Sequence, residues 1–134
     1  MEKRTGGCLC GAVRFAVTGP VRPVIYCHCS QCRRQTGHFV AATACDDAQL
    51  QLEGGENLSW YAASDEAKRG FCRTCGSLLF WKGNGSGTTS IMAGSFDLPS
   101  GLTESAHIHV ADKGDYYQIT DGLPQEEQTV VSNY

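Results

Sequence analysis

The sequence lacks any long run of apolar residues. No stretch of its 134 residues approaches the roughly 20 consecutive apolar side chains that a membrane-spanning helix needs, and its start has no apolar segment typical of an export signal. The sequence also lacks an excess of positive charge, since its 11 lysines and arginines are fewer than its 14 aspartates and glutamates. Such a composition provides no basic surface for nucleic acid or anionic lipid. We therefore expect a cytoplasmic protein with neither nucleic acid nor a membrane as its partner.

Long helical patterns are also missing, and the chain has four prolines but 16 glycines. Short apolar runs separated by turn residues are typical of β-sheet proteins. Val13, Phe15 and Val17 alternate as on a half-buried strand. The sequence predicts a mainly β protein forming one compact domain over residues 1–134, with an extended tail at 121–134. Strands are predicted at 12–17, 21–26, 39–45, 49–53, 58–62, 77–81, 88–93, 106–111 and 116–120.

Cysteine, by contrast, is abundant, with eight residues in the chain. Seven of them fall into three closely spaced groups, which are Cys8 and Cys10, then Cys27, Cys29 and Cys32, then Cys72 and Cys75. Structural disulfides are rare in the reducing cytoplasm, so this spacing predicts metal ligands. We expect the eighth cysteine, Cys45, to be a small buried hydrophobic residue on a strand.

The spacing is compatible with two groupings of these ligands. In the first, two CxxC pairs, Cys29 with Cys32 and Cys72 with Cys75, close one four-sulfur site of the zinc-ribbon type. In the second, the pairs near residues 8 and 72 close one site, and the C-H-C-x-x-C stretch at 27–32 holds another metal with three sulfurs. The first grouping predicts one zinc per chain and the second predicts two. Spacing alone leaves both open.

Charged and titratable residues near the cysteines are candidates for substrate binding and proton transfer. A helical turn is predicted from Ser30, as its cap, to a stop at Gly37. It carries Arg33, which we expect to bind a substrate carboxylate, and Arg34, for which a surface position is the better prediction. His28 is expected to point away from the metal. The other three histidines are His38, His107 and His109. We expect them to be ordinary strand or loop residues, with proton transfer near the zinc as the alternative role.

The chain resembles the glutathione-dependent formaldehyde-activating (Gfa) enzymes and the wider family of centromere protein V-like zinc proteins. The resemblance runs through most of the chain and rests on three motifs, which are GCLCG at 7–11, CHCSQCR at 27–33 and FCRTCG at 71–76. It implies a fold of short twisted β-sheets, of the Mss4-like or β-tent type, which bound zinc holds together.

The same resemblance implies the second grouping and an activity. It assigns a structural zinc to Cys8, Cys10, Cys72 and Cys75, and a catalytic zinc to Cys27, Cys29 and Cys32. A three-sulfur zinc keeps a fourth position for a small thiol such as glutathione. The implied activity is that of a carbon–sulfur lyase that forms or breaks the S-hydroxymethyl adduct of glutathione with formaldehyde. The alternative is a non-enzymatic zinc module that carries a thiol or binds a protein partner.

Overall fold

Strands dominate the computed structural model, which describes residues 1–129. Among these residues, three strands form a small antiparallel sheet in the order β1-β2-β5, and they are β1 (Lys3–Gly7), β2 (Arg14–Thr18) and β5 (Leu50–Glu53). The prediction of a mainly β fold is confirmed. Within the same residues, no helix has the length and apolar character that crossing a membrane requires.

A second sheet has seven strands in the order β10-β3-β4-β9-β8-β7-β6. In chain order they are β3 (Val24–Cys27), β4 (Val40–Asp46), β6 (Leu58–Tyr61), β7 (Ala67–Cys72), β8 (Leu78–Gly83), β9 (Thr88–Met92) and β10 (Glu104–Ile108). Strand β10 runs parallel to β3, whereas the other neighbours pair antiparallel. The parallel pair brings Ile108 opposite Cys27, so the end of β10 lies beside the cysteine-rich stretch.

The main hydrophobic core lies between the two sheets. Phe15 of β2 meets Phe80 of β8 edge to face, with 5.7 Å between ring centroids, and meets Phe96 in the same way at 5.2 Å. Val13 and Val17 are fully buried beside them, which confirms the predicted alternation. Because aromatic side chains from both sheets fill one core, the small sheet is packed onto the large one.

The short helix at Ser30–Thr36 (α1) has about two turns and follows the predicted boundaries, but its cap differs. The Cys29 sulfur, rather than the Ser30 hydroxyl, caps the helix by accepting a hydrogen bond from the Cys32 N–H at 3.3 Å. The helix ends at Gly37, whose φ is 84° and whose N–H donates to the Arg33 carbonyl. The prediction of Ser30 as the cap is wrong, because Cys29 is the extended residue that precedes the helix. Its sulfur accepts the hydrogen bond that a serine hydroxyl usually accepts at this position.

The predicted strands differ from the structure in three places, because they include neither β1 nor β7 and include one strand that does not form. The sequence does not predict β1, since Gly6 and Gly7 are poor strand formers. A Cβ on Gly6 would lie 2.4 Å from the Ser95 carbonyl oxygen, so glycine is needed for close packing of this strand. The strand predicted at 116–120 is wrong. The backbone there is irregular and pairs with no strand among residues 1–129. The ring of Tyr117 stacks on the ring of His28.

Residues 121–129, within the predicted extended tail, run along β10 and the turn that follows it. His107 bonds through its backbone to Pro124 and Glu126, and Gln125 pairs with it in a parallel bridge. Further along, the His109 N–H donates to the Gln128 carbonyl at 3.3 Å. Backbone bonds therefore fix this segment on the edge of the large sheet. The rest of the predicted tail, 130–134, lies outside the described residues.

We predict that Phe15→Ala lowers the free energy of unfolding by about 3–5 kcal/mol, because removing a buried ring leaves a cavity between the sheets. Urea denaturation of the metal-loaded protein measures the change. The control is Leu9→Ala, at a side chain that is 89% exposed, which should change stability by less than about 0.5 kcal/mol. Equal effects of the two substitutions would contradict a core shared by both sheets.

Candidate functional site

Two similar turns bring four cysteine sulfurs together. In the turn after β1, the Gly11 N–H donates to the Cys8 carbonyl at 3.2 Å, and in the turn after β7, the Gly76 N–H donates to the Cys72 carbonyl at 2.7 Å. Both glycines have a left-handed φ, 81° and 80°, which other residues adopt at a cost. The sulfurs that lie within 4.8 Å of one another, called here the four-cysteine cluster, belong to Cys8, Cys10, Cys72 and Cys75.

The spacing within the four-cysteine cluster fits a tetrahedral metal such as zinc. A Zn–S distance of about 2.3 Å gives a tetrahedral edge of about 3.8 Å. The observed Sγ–Sγ distances are 3.7 Å for Cys8–Cys10 and 3.8 Å for Cys10–Cys72. The hydroxyl and backbone N–H of Ser77 lower the pKa of Cys75 to about 5, favouring the thiolate that a metal needs. This cluster can therefore hold one metal ion that joins the small sheet to the large one.

A second group, called here the three-cysteine cluster, consists of Cys27 at the end of β3, Cys29 at the cap of α1 and Cys32 in its first turn. Hydrogen bonds from Cys27 and then Cys32 hold the pKa of the Cys29 thiol far below its ordinary value, while Cys29 and Cys32, together with burial, raise that of Cys27. The Cys29 and Cys32 sulfurs are 3.2 Å apart. Binding of a zinc ion by both would require this distance to increase by about half an ångström. The cluster can hold a metal with three ligands.

The grouping of the sulfurs corresponds to the second of the two arrangements that spacing allows. Cys72 and Cys75 lie with the pair near the start of the chain, whereas Cys29 and Cys32 lie with Cys27. The two CxxC pairs thus belong to different clusters. This arrangement does not match a single zinc-ribbon site.

Cys45 lies apart from both clusters in the main core and is 5% exposed. Burial, followed by the charges of Asp47 and Asp46, raises the pKa of its thiol to about 11. A protonated, enclosed thiol is chemically inert. The prediction of a small buried hydrophobic residue at this position is confirmed.

A cavity of about 570 Å³ lies against the three-cysteine cluster. All three of its cysteines line this cavity, and no member of the four-cysteine cluster does. Apolar side chains such as Ile25 and Val40 form part of the wall, and the charged or titratable side chains besides the cysteines are Arg22, Arg69, His109, Glu66 and Asp112. A space of this size that combines apolar walls with polar groups is typical of a site for a small molecule.

Arg69 is the site residue that the sequence pattern did not reveal. It lies on β7 and is 4% exposed. Its guanidinium donates to the Cys32 sulfur at 3.5 and 3.6 Å, and to the side-chain oxygens of Gln35 at 3.0 Å and Gln31 at 3.3 Å. The buried Nε has no hydrogen-bond partner among residues 1–129. A buried cation bonded to a cluster sulfur favours the thiolate form of the cluster.

The arginines that follow the cysteine-rich stretch do not line the cavity, and Arg34 has the surface position predicted for it. Arg33 is half-buried and Arg34 is exposed on α1, and neither is among the residues that line the cavity. The guanidinium beside the cysteines comes instead from β7. An arginine inside a strand gives no sequence signal of this role, because 37 residues separate Arg69 from Cys32.

Two histidines form a buried network on the other side of β3. The His28 Nε2 lies 2.8 Å from the His107 Nδ1, and the His107 Nε2 lies 2.7 Å from a carboxylate oxygen of Asp121. The Tyr117 hydroxyl bonds to the remaining nitrogen of His28. Burial and then the charge of His107 lower the pKa of His28 to about 4. The neutral ring of His28 and the ring of His107 therefore connect the cysteine-rich stretch to residues 117–121.

Comparison with known protein families identifies the group to which the chain is related. The profile of the family described as "Glutathione-dependent formaldehyde-activating enzyme" matches residues 3–112. The chain belongs to this GFA family. The match spans both cysteine clusters and all ten strands, so it covers the whole site except the wall contributed by the C-terminal segment.

Individual relatives agree with this membership. An uncharacterised lyase of Schizosaccharomyces pombe is 30% identical over 122 residues, covering 90% of this chain and 88% of the relative. A protein of Halomonas elongata, provisionally named a glutathione-dependent formaldehyde-activating enzyme, is 36% identical over 83 residues, or 56% of this chain and 53% of that protein. A crystal structure of a Rhodobacter sphaeroides protein has the same fold, with a TM-score of 0.55, 24% identity and coverage of 91% of this chain and 98% of that one.

We predict that replacing one cysteine from each cluster has different effects. Cys72→Ser should lower the free energy of unfolding by at least about 3 kcal/mol, because a metal that joins two sheets contributes directly to folding. Cys29→Ser should leave the fold intact, because its cluster borders a cavity. Thermal unfolding by circular dichroism, together with metal analysis of each variant, measures both effects. Equal destabilisation would contradict the division into a structural and a cavity-lining site.

Proposed function

We propose that the protein is a zinc-dependent carbon–sulfur lyase that binds a small thiol such as glutathione and forms or breaks its S-hydroxymethyl adduct with formaldehyde. The observation that carries this proposal is that the three-cysteine cluster lines the 570 Å³ cavity, whereas the four-cysteine cluster does not. Four sulfurs close a zinc site, and three leave one position for a ligand. The family description and the names of the two relatives support the same class of reaction.

We assign one zinc ion to each cluster, and therefore two to each chain. Bound at the three-cysteine cluster, zinc would lower the pKa of an incoming thiol and hold it as a thiolate. At the four-cysteine cluster, the donor set is complete and the role is structural. We expect the protein to act in the cytoplasm, because free thiolate ligands persist in reducing surroundings.

Arg69 would balance the charge of the loaded site. Three thiolates around a zinc ion carry a formal net charge of about −1, and a fourth thiolate makes it about −2. The buried guanidinium donates to the Cys32 sulfur, so it offsets one negative charge in surroundings where water does not.

The cavity would contribute orientation as well as binding. Thiolates of low basicity are weaker nucleophiles, so acceleration must come from holding the thiolate and the aldehyde in reacting geometry. Arg22 also lines the cavity, and bonds to the carbonyls of Ala42 at 2.9 Å and Pro23 at 3.3 Å fix its guanidinium. A fixed guanidinium is suited to bind a carboxylate of a glutathione-like ligand.

Exchange spectroscopy by NMR tests the proposed reaction directly. We predict that catalytic amounts of the zinc-loaded protein accelerate the exchange between glutathione plus formaldehyde and S-hydroxymethylglutathione above its spontaneous rate. Cys29→Ser should remove the acceleration, and Cys45→Ala, at a cysteine outside both clusters, should retain it. Glutathione binding without any acceleration would instead support a protein that only carries the thiol, and absence of both would contradict glutathione as the ligand.

We predict that Arg69→Gln weakens glutathione binding by roughly 10- to 100-fold, the usual range for loss of a charge-assisted hydrogen bond. Arg69→Lys should lose less glutathione affinity, because lysine keeps the positive charge although it lacks the planar guanidinium group. Isothermal titration calorimetry measures both, and zinc content verifies that the cluster is loaded. The matched controls Arg33→Gln and Arg34→Gln should bind normally. A loss of binding confined to Arg33→Gln would contradict the role of Arg69 and assign the charged contact with glutathione to the helix.

A further inference from the structure

Alternation along the paired strands β3 and β10 separates the cavity from the histidine network. On β3, Ile25 and Cys27 line the cavity, whereas Tyr26 stacks on His107 at 4.9 Å on the opposite side. On β10, Ile108 lines the cavity directly opposite Cys27. Because side chains alternate along a strand, His109 would be expected on the same side as His107, away from the cavity.

His109 breaks this alternation. Its φ of 56° and ψ of 37° are left-handed, and no other non-glycine residue within 1–129 has a positive φ. This conformation is unfavourable for a residue with a side chain, and such residues concentrate at functional sites. As a result, consecutive residues Ile108 and His109 both line the cavity.

The C-terminal segment holds the His109 ring in place. The Thr129 hydroxyl bonds to the Nε2 of His109, and the His109 backbone N–H donates to the Gln128 carbonyl. Thr129 lines the same cavity. With Nε2 held by a hydroxyl, Nδ1 is the nitrogen left to exchange a proton with a ligand, which is the arrangement of an oriented acid–base group.

The other histidines do not share this position. The chain has four histidines, and His109 is the one among them that lines the cavity. His28 and His107 are bonded to each other in the buried network. His38 is exposed and lies 3.2 Å from the Tyr116 hydroxyl.

We infer that His109 is the acid–base residue of the proposed reaction, an inference that rests on that function. In adduct formation, the ligand thiolate attacks the carbon of formaldehyde and a C–S bond forms. The π electrons of the C=O bond move to oxygen, which takes a proton from the protonated His109 ring. In the reverse direction, the neutral ring takes the hydroxyl proton, the C=O bond re-forms, and the C–S electrons return to sulfur. Atoms and charges balance without an oxidant or reductant.

His109→Asn is the most informative variant, because asparagine tolerates the left-handed conformation but cannot transfer a proton in this way. We expect the exchange rate measured by NMR to fall by about 100-fold or more. Glutathione affinity, measured by calorimetry, should stay within about two-fold, and zinc content should be unchanged. His38→Asn, the control at an exposed histidine outside the cavity, should retain the full rate.

A second variant covers the case in which asparagine disturbs the fold. Glycine adopts the left-handed conformation freely, so His109→Gly should fold, exchange slowly, and regain rate as imidazole is added. A full rate in His109→Asn, a loss of glutathione affinity as large as the loss of rate, or no rescue of His109→Gly by imidazole would each overturn this role. A wild-type protein without acceleration would overturn the proposed function as well, whereas an accelerating wild type with an equally fast His109→Asn would overturn the role of His109 alone.

Discussion

The meeting of four cysteine sulfurs from two distant turns is the constraint on which the rest of the structure depends. Cys10 and Cys72 are 62 residues apart, yet their sulfurs lie 3.8 Å from each other. A metal bond between such positions ties the small sheet to the large one and removes much of the freedom of the unfolded chain. Strand β7 ends at this point, and three residues earlier it carries Arg69 to the Cys32 sulfur. The turn that carries Cys72 therefore also fixes the position of Arg69 beside the three-cysteine cluster.

We propose that the same type of ligand serves two purposes because the surroundings of the two clusters differ. In the four-cysteine cluster, every ligand position of a tetrahedral metal is filled by protein. In the three-cysteine cluster, one position is left, and the cluster borders a cavity with a buried guanidinium beside it. The difference between a closed and an open sulfur site is thus the physical basis of the proposed thiol chemistry.

Sequence alone predicted the features that depend on near neighbours. The close spacing of Cys27, Cys29 and Cys32 indicated one cluster, and the alternation around Phe15 indicated a buried strand face. Residue spacing did not show which distant segments meet, although the family resemblance implied the grouping of Cys8 and Cys10 with Cys72 and Cys75. Arg69 reaches its cluster through sheet pairing, and His109 enters the cavity through one unusual backbone conformation. Both depend on tertiary packing, which residue type and local period do not encode.

X-ray absorption spectroscopy at the zinc edge tests the central claim most directly, because it counts the sulfur atoms around the metal. With one zinc in each cluster, the average should be about 3.5 sulfurs per zinc without glutathione. Addition of glutathione should raise the average to about 4, since its thiolate fills the open position of the three-cysteine cluster. An average that does not change on addition of saturating glutathione would contradict the account.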